Sequence, residues 1–274
     1  MPDGAWLDAI VRLRTAREPA VLVTLATVRG HAPRRAGAKM VVSAGGTWGS
    51  IGGGNVEALA IDHARAQLAD PSAQPEVLTC ELSERAPSEH GAQCCGGKVT
   101  VLLDPLRPVP AVAIFGVGHI GLELARILTR HDLELHLIDT RPQMLAESRL
   151  GVLADGAATV HLHRISVLPE SVIAELPTGS HVLIMTHDHA EDVALCDVAL
   201  RRADLGSIGL IGSSGKWANF RRRLAEDGGL DEATISRIRT PIGLPDINGK
   251  EPATIAVSVA ADLLRTFESE EARR

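Results

Sequence analysis

The sequence AVAIFGVGHIGLELARIL, residues 111–128, joins an uninterrupted apolar run to an amphipathic segment through a turn that contains glycines. The apolar run predicts a short buried strand, and the segment after the turn has the periodicity of a helix. Between a strand and a helix, Gly116, Gly118 and Gly121 permit a tight turn, the approach of a pyrophosphate to backbone amides, and close helix packing. The stretch therefore predicts the first unit of a dinucleotide-binding fold.

Further apolar runs follow at residues 134–140, 181–186 and 207–212, with helical segments among them. Strands that are apolar on both faces and alternate with helices indicate a parallel sheet covered on two sides. We therefore expect the C-terminal half to be a Rossmann-like, doubly wound α/β domain. Asp139, at the end of the second of these strands, stands where an acidic residue contacts the ribose hydroxyls of a dinucleotide.

The N-terminal half of the chain has a different pattern. It predicts a helix before residue 20, strands at 21–27 and 39–44, a helix at 55–69, and two more strands up to residue 104. This order indicates a smaller α+β domain. Three prolines within residues 101–110 interrupt both helix and sheet, so we place the boundary between two domains, 1–105 and 106–274, at this point.

The composition of the chain argues against two classes of partner. A net charge of −6 provides no broad basic surface for a nucleic-acid backbone, and an aromatic content of 2% leaves little for base stacking. The N-terminus carries acidic residues, unlike a secretory signal, and no apolar stretch reaches the length of a membrane helix. We expect a cytoplasmic protein that binds neither nucleic acid nor membrane and keeps its thiols reduced.

Two adjacent cysteines, Cys94 and Cys95, lie in the segment GAQCCGGK at residues 91–98. Neighbouring residues rarely reach disulfide geometry without strain, and structural zinc takes spaced cysteine pairs, so we expect free thiols here. The remaining cysteines, Cys80 and Cys196, stand alone in apolar or helical contexts. These two are expected to be packing residues.

Three loops combine glycine with cationic or hydroxyl side chains. The loop 29–40 holds Arg29, Arg34, Arg35 and Lys39, the loop 48–57 runs Gly52, Gly53 and Gly54 into a helix, and residues 211–220 place Ser213 and Lys216 before another helix. Consecutive glycines cost folding entropy and usually mark a sharp turn or the approach of a ligand. Amides at a helix start, with guanidinium groups nearby, form an anion site. The loops therefore predict phosphate binding, with a solvated basic loop as the alternative.

The glycine turn also leaves an enzymatic function open. An NAD(P)-dependent oxidoreductase would bind its cofactor through this turn and Asp139. His119 and His187 are candidate proton donors, although a lone histidine is more often a capping or core residue. No convincing substrate-binding segment accompanies them.

A metal-dependent hydrolase is a third possibility, built on His187 and His189 in THDHAED, residues 186–192. These residues follow an apolar strand at the edge where doubly wound sheets bind ligands. The sequence offers no obvious third and fourth metal ligand beside them. Capping of the following helix by Thr186 or Asp188 explains the same segment.

The chain resembles the XdhC/CoxI family of xanthine dehydrogenase accessory proteins in the order and spacing of ATVRGHAPRRAGAKM, GSIGGGNVE, CCGGKV, AIFGVGHIGLELARIL, THDHAED, IGLIGSSGKWANF and TPIGLPDINGKEPATIAVSVAADLL. The resemblance covers residues 20–265. It implies a protein that binds the molybdenum cofactor (Mo-molybdopterin), protects it while its terminal sulfur ligand is installed, and delivers it to the molybdenum subunit of xanthine dehydrogenase. It also implies a cysteine desulfurase and cofactor synthesis proteins as partners, a homodimer, and an accessory role rather than an enzymatic one.

The family pattern centres on the cysteine before two glycines, which is Cys95, whereas Cys94 fills a position that varies among members. A thiolate is a soft ligand that suits a metal or a sulfur relay, and Lys98 or the loop arginines would favour it if they lie close. The resemblance and the loop chemistry together predict these cofactor-binding residues: Cys94, Cys95, Gly96, Gly97, Arg34, Lys39, Gly52, Gly53, Gly54, Gly116, Gly118, His119, Gly121, Asp139, Ser213 and Lys216. We expect the CGG segment and the Rossmann turn to face one cleft.

Overall fold

The structure is a computed structural model and describes residues 4–81, 97–165 and 167–273. It divides into two compact units, one comprising Met1–Pro108 with Glu270–Arg274 and the other comprising Val109–Ser269. Among the helices of the described residues, none combines the length and the apolar character that a membrane crossing requires.

The first unit is built on an antiparallel sheet. Its elements are α1 (Ala5–Thr15), β1 (Ala20–Arg29), β2 (Lys39–Ser43), β3 (Gly46–Gly49), α2 (Gly54–Ala69), β4 (Glu76–Glu81) and β5 (Lys98–Leu106). The strand order is β3-β2-β1-β5-β4, and the four pairings are antiparallel. Val23 and Leu103 pack with Ala60 of α2 in one core, whereas Ala20 and Val41 pack with α1 in another. The predicted N-terminal α+β architecture is confirmed.

Two details of this sheet differ from the sequence-based expectation. β3 is not predicted because its sequence, GTWG, is half glycine and carries no apolar alternation. Pro105 lies inside β5, opposite Val21, and does not end the strand. β4 pairs with β5 only as far as Leu103, so Pro105 lies where β5 has a single neighbouring strand, a position that tolerates proline.

The second unit is built on a parallel sheet. Its elements are β6 (Ala111–Phe115), α3 (His119–Leu128), β7 (Glu134–Ile138), α4 (Glu147–Leu150), β8 (Thr159–His163), α5 (Ser171–Glu175), β9 (His181–Ile184), α6 (His189–Arg201), β10 (Ser207–Leu210), α7 (Ser214–Glu226), α8 (Glu232–Ile235), β11 (Ile238–Arg239) and α9 (Pro252–Arg273), which begins in this unit. The strand order β11-β10-β9-β6-β7-β8, with parallel pairings, is that of a Rossmann fold. The predicted fold class is confirmed.

Helices cover both faces of the parallel sheet. α3 and α9 contribute Leu124 and Val259 to the core on one face. On the other face, α5, α6 and α7 contribute Ile173, Leu195 and Phe220. The direction of winding reverses between β6 and β9, and open sheets of this kind bind ligands in the crevice at that point, beyond the carboxyl ends of the strands.

The sequence does not predict β8, one of the two edge strands of this sheet. Its residues, TVHLH, alternate apolar side chains with histidine and are half-buried or exposed. A continuous apolar run marks the inner strands β6 and β9, which are buried throughout. The edge strand lacks that signal because solvent covers part of it.

Candidate functional site

Three connections leave the antiparallel sheet at the same end. β1 ends at Arg29 and β4 ends at Glu81, and both residues lie opposite Lys98 at the start of β5. β3 ends at Gly49, opposite Met40 near the start of β2. The connections that begin or finish here are 30–38, 50–53 and 82–97. The basic loop, the glycine-rich loop and the two ends of the cysteine segment therefore share one end of the sheet.

A cleft of about 460 Å³ lies at this end of the sheet. Its lining residues are Trp6, Pro33, Arg34, Arg35, Ala36, Gly37, Ala38, Lys39, Gly49 and Ser50. Lys39 Nζ donates a hydrogen bond to Thr24 Oγ1 at 3.1 Å and lies 5.7 Å from the ring centroid of Trp6. Two arginines, a lysine and an indole therefore line one cleft, which suits an anionic ligand with a planar ring system.

The glycine-rich loop forms a tight turn before α2. Gly52 and the two glycines after it have positive φ angles of 132°, 75° and 66°, which glycine adopts without strain. Glu57 folds back onto this turn: its Oε2 accepts hydrogen bonds from the Ser50 hydroxyl at 2.6 Å and from the amides of Ile51 and Gly53 at 3.0 Å. Of the three glycines expected to hold a ligand phosphate, Gly53 thus donates its amide to a carboxylate of the chain itself.

Gly97 is the part of the CCGG segment that the structure describes. Cys94, Cys95 and Gly96 lie outside the described residues. A Cβ atom at Gly97 would lie 2.2 Å from the carbonyl oxygen of His31 and 2.9 Å from that of Arg29. Glycine is therefore required at position 97, because this residue lies against the backbone where the basic loop begins.

The glycine turn between β6 and α3 has two packing glycines and one open glycine. Gly116 has a φ of +100°, and a Cβ there would lie 2.3 Å from the carbonyl oxygen of Met185. A Cβ at Gly121 would lie 2.2 Å from the carbonyl oxygen of Gly116, so α3 can pack this closely only on a glycine. Gly118, at the N-cap of α3, has no atom within 4 Å of such a Cβ. A ligand therefore has access to the turn at Gly118.

The carboxylate of Asp139 is engaged by its own chain. Oδ2 accepts from the Val117 amide at 2.8 Å, and the Arg141 side chain donates to both oxygens at 2.9 Å. Burial raises the pKa of Asp139, but the hydrogen bonds from Arg141 and Val117 outweigh it and hold the pKa below its usual value. A ribose hydroxyl at this carboxylate would have to share or displace these donors.

Arg149 contacts the same glycine turn, and the sequence carries no signal for it. Its NH1 donates to the Val117 carbonyl at 2.7 Å, and its NH2 lies 3.4 Å from the Gly118 carbonyl. The guanidinium group thus brings a positive charge close to the N-terminus of α3. His119, the first residue of α3, is exposed beside this turn.

A buried carboxylate joins the THDHAED segment to the predicted ligand loop that carries Ser213 and Lys216. Asp192 is fully buried, and its Oδ2 accepts from Lys216 Nζ at 2.7 Å. Its Oδ1 accepts from the Thr186 amide at 3.1 Å and from the Thr186 hydroxyl at 2.7 Å. The Ser213 hydroxyl accepts from the Lys216 amide at 3.3 Å and caps α7. Ser213 and Lys216, which we expected to bind phosphate, therefore have internal partners.

The segment THDHAED starts α6. Asp188 is the N-cap residue, and its carboxylate accepts from the amides of Ala190 and Glu191 at 2.7 Å and 3.4 Å, which confirms the predicted capping. His187 and His189 are exposed. Across the described ranges, no group of three metal-ligating side chains includes either histidine.

The two isolated cysteines are packing residues, as predicted. Cys196 is fully buried in the core of the second unit, and Cys80 packs half-buried against the core of the first. Burial raises the pKa of both thiols, so neither is inclined to form the thiolate.

Comparison with protein families assigns the two parts of the sequence separately. Residues 112–263 match the family model described as the XdhC Rossmann domain. Residues 13–79 match the model described as the XdhC and CoxI family. The first of these matches covers more than half of the chain.

Curated relatives come from Escherichia coli and Bacillus subtilis. The molybdenum cofactor insertion chaperone PaoD of E. coli is 27% identical over 268 residues, which cover 89% of this chain and 82% of PaoD. The uncharacterized protein YqeB of E. coli is 24% identical over 90% of this chain, and a probable xanthine dehydrogenase subunit of B. subtilis is 27% identical over 61%. The chain spans 43% of YqeB and 46% of the B. subtilis protein.

Among solved structures, the chain is similar to a crystal structure described as a xanthine dehydrogenase from Bacillus halodurans. The identity is 19%, the coverage is 97% of this chain and 96% of the other, and the TM-score is 0.44. It is also similar to the E. coli tRNA N6-threonylcarbamoyladenosine dehydratase TcdA, with 14% identity over 60% of this chain and 88% of TcdA, and a TM-score of 0.41.

Proposed function

Since this chain belongs to the XdhC and CoxI family, as its sequence predicts, we propose that it is a molybdenum cofactor-binding chaperone, an accessory protein rather than an enzyme. It binds the cofactor transiently, protects it during sulfuration, and delivers it to xanthine dehydrogenase. The name of its relative PaoD, a molybdenum cofactor insertion chaperone, supports this proposal.

The observation that carries the proposal is the cationic cleft of the first unit. Molybdopterin, the cargo, has a phosphate, a hydrogen-bonding pterin and a metal held by a dithiolene. Arg34, Arg35 and Lys39 line the cleft and offer charge-assisted hydrogen bonds to a phosphate. Trp6 offers an aromatic face on which a planar pterin can stack. The cleft therefore offers partners for two parts of the cargo, the phosphate and the pterin ring.

The thiol assigned to the metal end of the cargo is Cys95. It stands two residues before Gly97 in the chain, and Gly97 lies against the carbonyl oxygens of Arg29 and His31, where the basic loop begins. Thiolates are soft ligands for such metals and can relay sulfur. Cys95 would thus meet the metal while the loop cations hold the phosphate, with Cys94 as the neighbouring thiol.

The remaining parts of the proposal concern organisation and partners. Residues 1–105 form the XdhC/CoxI-type domain that holds the cargo, and residues 106–274 form the Rossmann-like domain. The partners are the molybdenum subunit of xanthine dehydrogenase, a cysteine desulfurase, the cofactor synthesis proteins and a second copy of the chain, in the cytoplasm. The name of the B. subtilis relative, a probable xanthine dehydrogenase subunit, supports the link to that enzyme.

An NAD(P)-dependent oxidoreductase is the second candidate function. The Rossmann strand order and the open approach to Gly118 favour it. The engagement of Asp139 by Val117 and Arg141 weighs against it, because the ribose loses its usual acceptor. Titration with NADH, followed by its fluorescence, separates the two candidates: tight binding together with turnover of a small carbonyl substrate would favour the oxidoreductase.

The chaperone proposal is tested by measuring whether the molybdenum cofactor copurifies with the chain. The full chain is purified from cells that make molybdopterin, and molybdenum is measured by elemental analysis and pterin by fluorescence. We expect both to copurify with the wild type and with Cys80→Ala, and to be lost from Cys95→Ala although that variant stays folded. Equal retention by Cys95→Ala would reject the role of Cys95, and absence of cargo from the wild type would reject the proposed function.

A further inference from the structure

Three side chains of the types that bind metal ions share one face of the parallel sheet, at its β7–β8 edge. Glu134 and His136 are two residues apart on β7 and so lie on the same face, and His161 on β8 is in register with His136. One ligand atom from each of the three residues lies within 4.8 Å of the others. The intervening Leu135 packs in the core on the opposite face. The topology of two neighbouring strands thus brings two imidazoles and a carboxylate together.

The distances among these atoms are close to those of a metal site. Glu134 Oε2 lies 3.8 Å from His136 Nε2 and 3.7 Å from His161 Nε2. With metal–ligand bonds of about 2.0 Å, two ligands of a tetrahedral zinc ion are about 3.3 Å apart. The two separations measured from Glu134 Oε2 exceed this value by about 0.4–0.5 Å, so the side chains must rotate to bring the three atoms to coordination distance.

In the part of the chain that the structure describes, His161 has a buried ring nitrogen without a hydrogen-bond partner, on a side chain that solvent partly reaches. Its Nε2 atom is screened from water and has no hydrogen-bond partner among the described residues, while 42% of its side chain is exposed. A nitrogen that is buried without a partner normally costs free energy, and a bound cation removes that cost. The exposed part of the ring gives an ion a route from solvent.

His163 lies beside His136 and can fix the orientation of its ring. His136 Nδ1 lies 3.0 Å from His163 Nε2. A metal-ligating histidine usually uses its other ring nitrogen to donate a hydrogen bond that sets its tautomer and its orientation. When His136 Nδ1 donates to His163, His136 Nε2 carries the lone pair that a metal ion requires. The ring of His161 stacks on that of His136, with centroids 4.6 Å apart and an angle of 16° between the planes. Because the nitrogen lone pairs lie in the ring planes, the partly exposed His161 ring turns out of this stack when both histidines bind one ion.

We propose that Glu134, His136 and His161 bind a divalent transition-metal ion, with Zn²⁺ as the ion that this donor set suits. Two imidazoles and a carboxylate are a known zinc donor set, in which water takes the fourth position, whereas Mg²⁺ and Ca²⁺ prefer oxygen ligands throughout. His163 positions His136. The ion fastens the edge strand β8 to β7 and stabilises the second unit, independently of the cofactor cleft in the first.

The test measures zinc binding to the full chain. Cys94→Ser and Cys95→Ser are introduced together, so that these thiols do not bind the added ion. Zn²⁺ is titrated in competition with a chromogenic chelator, and thermal unfolding is followed with and without Zn²⁺. We expect one tightly bound equivalent and a rise in Tm, both lost on His161→Ala or Glu134→Gln, and a roughly 10–100-fold weaker affinity for His163→Ala.

The matched control is His131→Ala, a half-exposed histidine of the same unit outside the cluster, which should keep the zinc equivalent. His161 is partly exposed, so its replacement leaves a folded protein, and circular dichroism verifies this. Substitution of Zn²⁺ by Co²⁺ should give d–d absorption bands without sulfur-to-cobalt charge transfer. Retention of the zinc equivalent by His161→Ala, or its absence from the parent protein, would overturn the proposal.

Discussion

Lys216 of α7 and Asp192 of α6 form an ion pair in the second unit, with 2.7 Å between Nζ and Oδ2 and with the carboxylate fully buried. The pair connects the segment after β9 to the segment after β10. The pair also limits ligand binding by Lys216. If the lysine turned to a ligand, it would leave the buried Asp192 carboxylate without its counter-charge, which costs free energy.

Removal of Lys216 should therefore destabilise the fold. We expect Lys216→Met to lower the free energy of unfolding by about 3 kcal/mol, because Asp192 loses its partner in a buried site. Urea denaturation measures the change. Arg126→Met, which breaks an exposed ion pair with Glu123, should cost less than about 1 kcal/mol. If Lys216→Met were as stable as the wild type, the ion pair would not be needed for folding, and Lys216 would again be a candidate for ligand binding.

The glycines of the β6–α3 turn should differ in their tolerance of a methyl group. Gly116→Ala should cost more than about 2 kcal/mol, because the Cβ meets the Met185 carbonyl and φ is +100°. The free energy of unfolding of Gly118→Ala should be within about 1 kcal/mol of the wild-type value, because the space beside Gly118 is open. Denaturant midpoints compare the two variants, and equal losses would contradict this division between packing and access.

Asp139 should contribute an acid-sensitive part of the stability. Its folded-state pKa is depressed by Arg141 and Val117, so its contribution is complete above the unfolded-state pKa of about 3.9 and is lost as pH falls through the lower folded-state pKa. Urea midpoints between pH 7 and pH 3 should fall less steeply for Asp139→Asn than for the wild type. Identical slopes below about pH 4 would show that the carboxylate adds nothing.

Glu57 should hold the glycine-rich loop in place. Glu57→Gln keeps the size of the side chain but removes the charge that strengthens its bonds to Ser50, Ile51 and Gly53, so we expect a loss of about 1–2 kcal/mol. Arg65→Gln, on an exposed position of the same helix, is the matched control and should be neutral. Unfolding in urea measures both. A neutral Glu57→Gln would mean that the loop keeps its shape without the carboxylate.

The cationic cleft should bind its cargo through charge. Arg35→Ala and Lys39→Ala should each weaken the binding of molybdopterin about tenfold, which corresponds to the loss of one charge-assisted hydrogen bond. Quenching of pterin fluorescence gives the affinities, and Arg65→Ala on α2 serves as a charge control outside the cleft. Unchanged affinities in both cleft variants would remove the cleft from the proposed function.

The Rossmann-like half could be predicted because its signals are local. Inner strands such as β6 are continuously apolar, and Gly116 and Gly121 are required by backbone contacts that recur wherever a helix packs on the preceding strand. β8 could not be predicted in the same way, because an edge strand that mixes histidine with apolar residues has no distinctive period.

The internal use of charged residues could not be predicted. Asp139, Glu57 and Lys216 are the residue types that ligand loops carry, but the same types also stabilise tight turns. Which of the two roles applies depends on partners that the fold brings together, such as Asp192 for Lys216 and the amide of Val117 for Asp139. Sequence spacing alone does not reveal such pairs.

The connection between β4 and β5 leaves and rejoins the sheet at directly paired residues, since Glu81 faces Lys98. The register of these two strands is set by the ladder from Glu76–Leu103 to Glu81–Lys98, and Gly97 is held separately by the backbone at Arg29 and His31. Related chains can therefore differ between Glu81 and Gly97 and still inherit the same strand pairing.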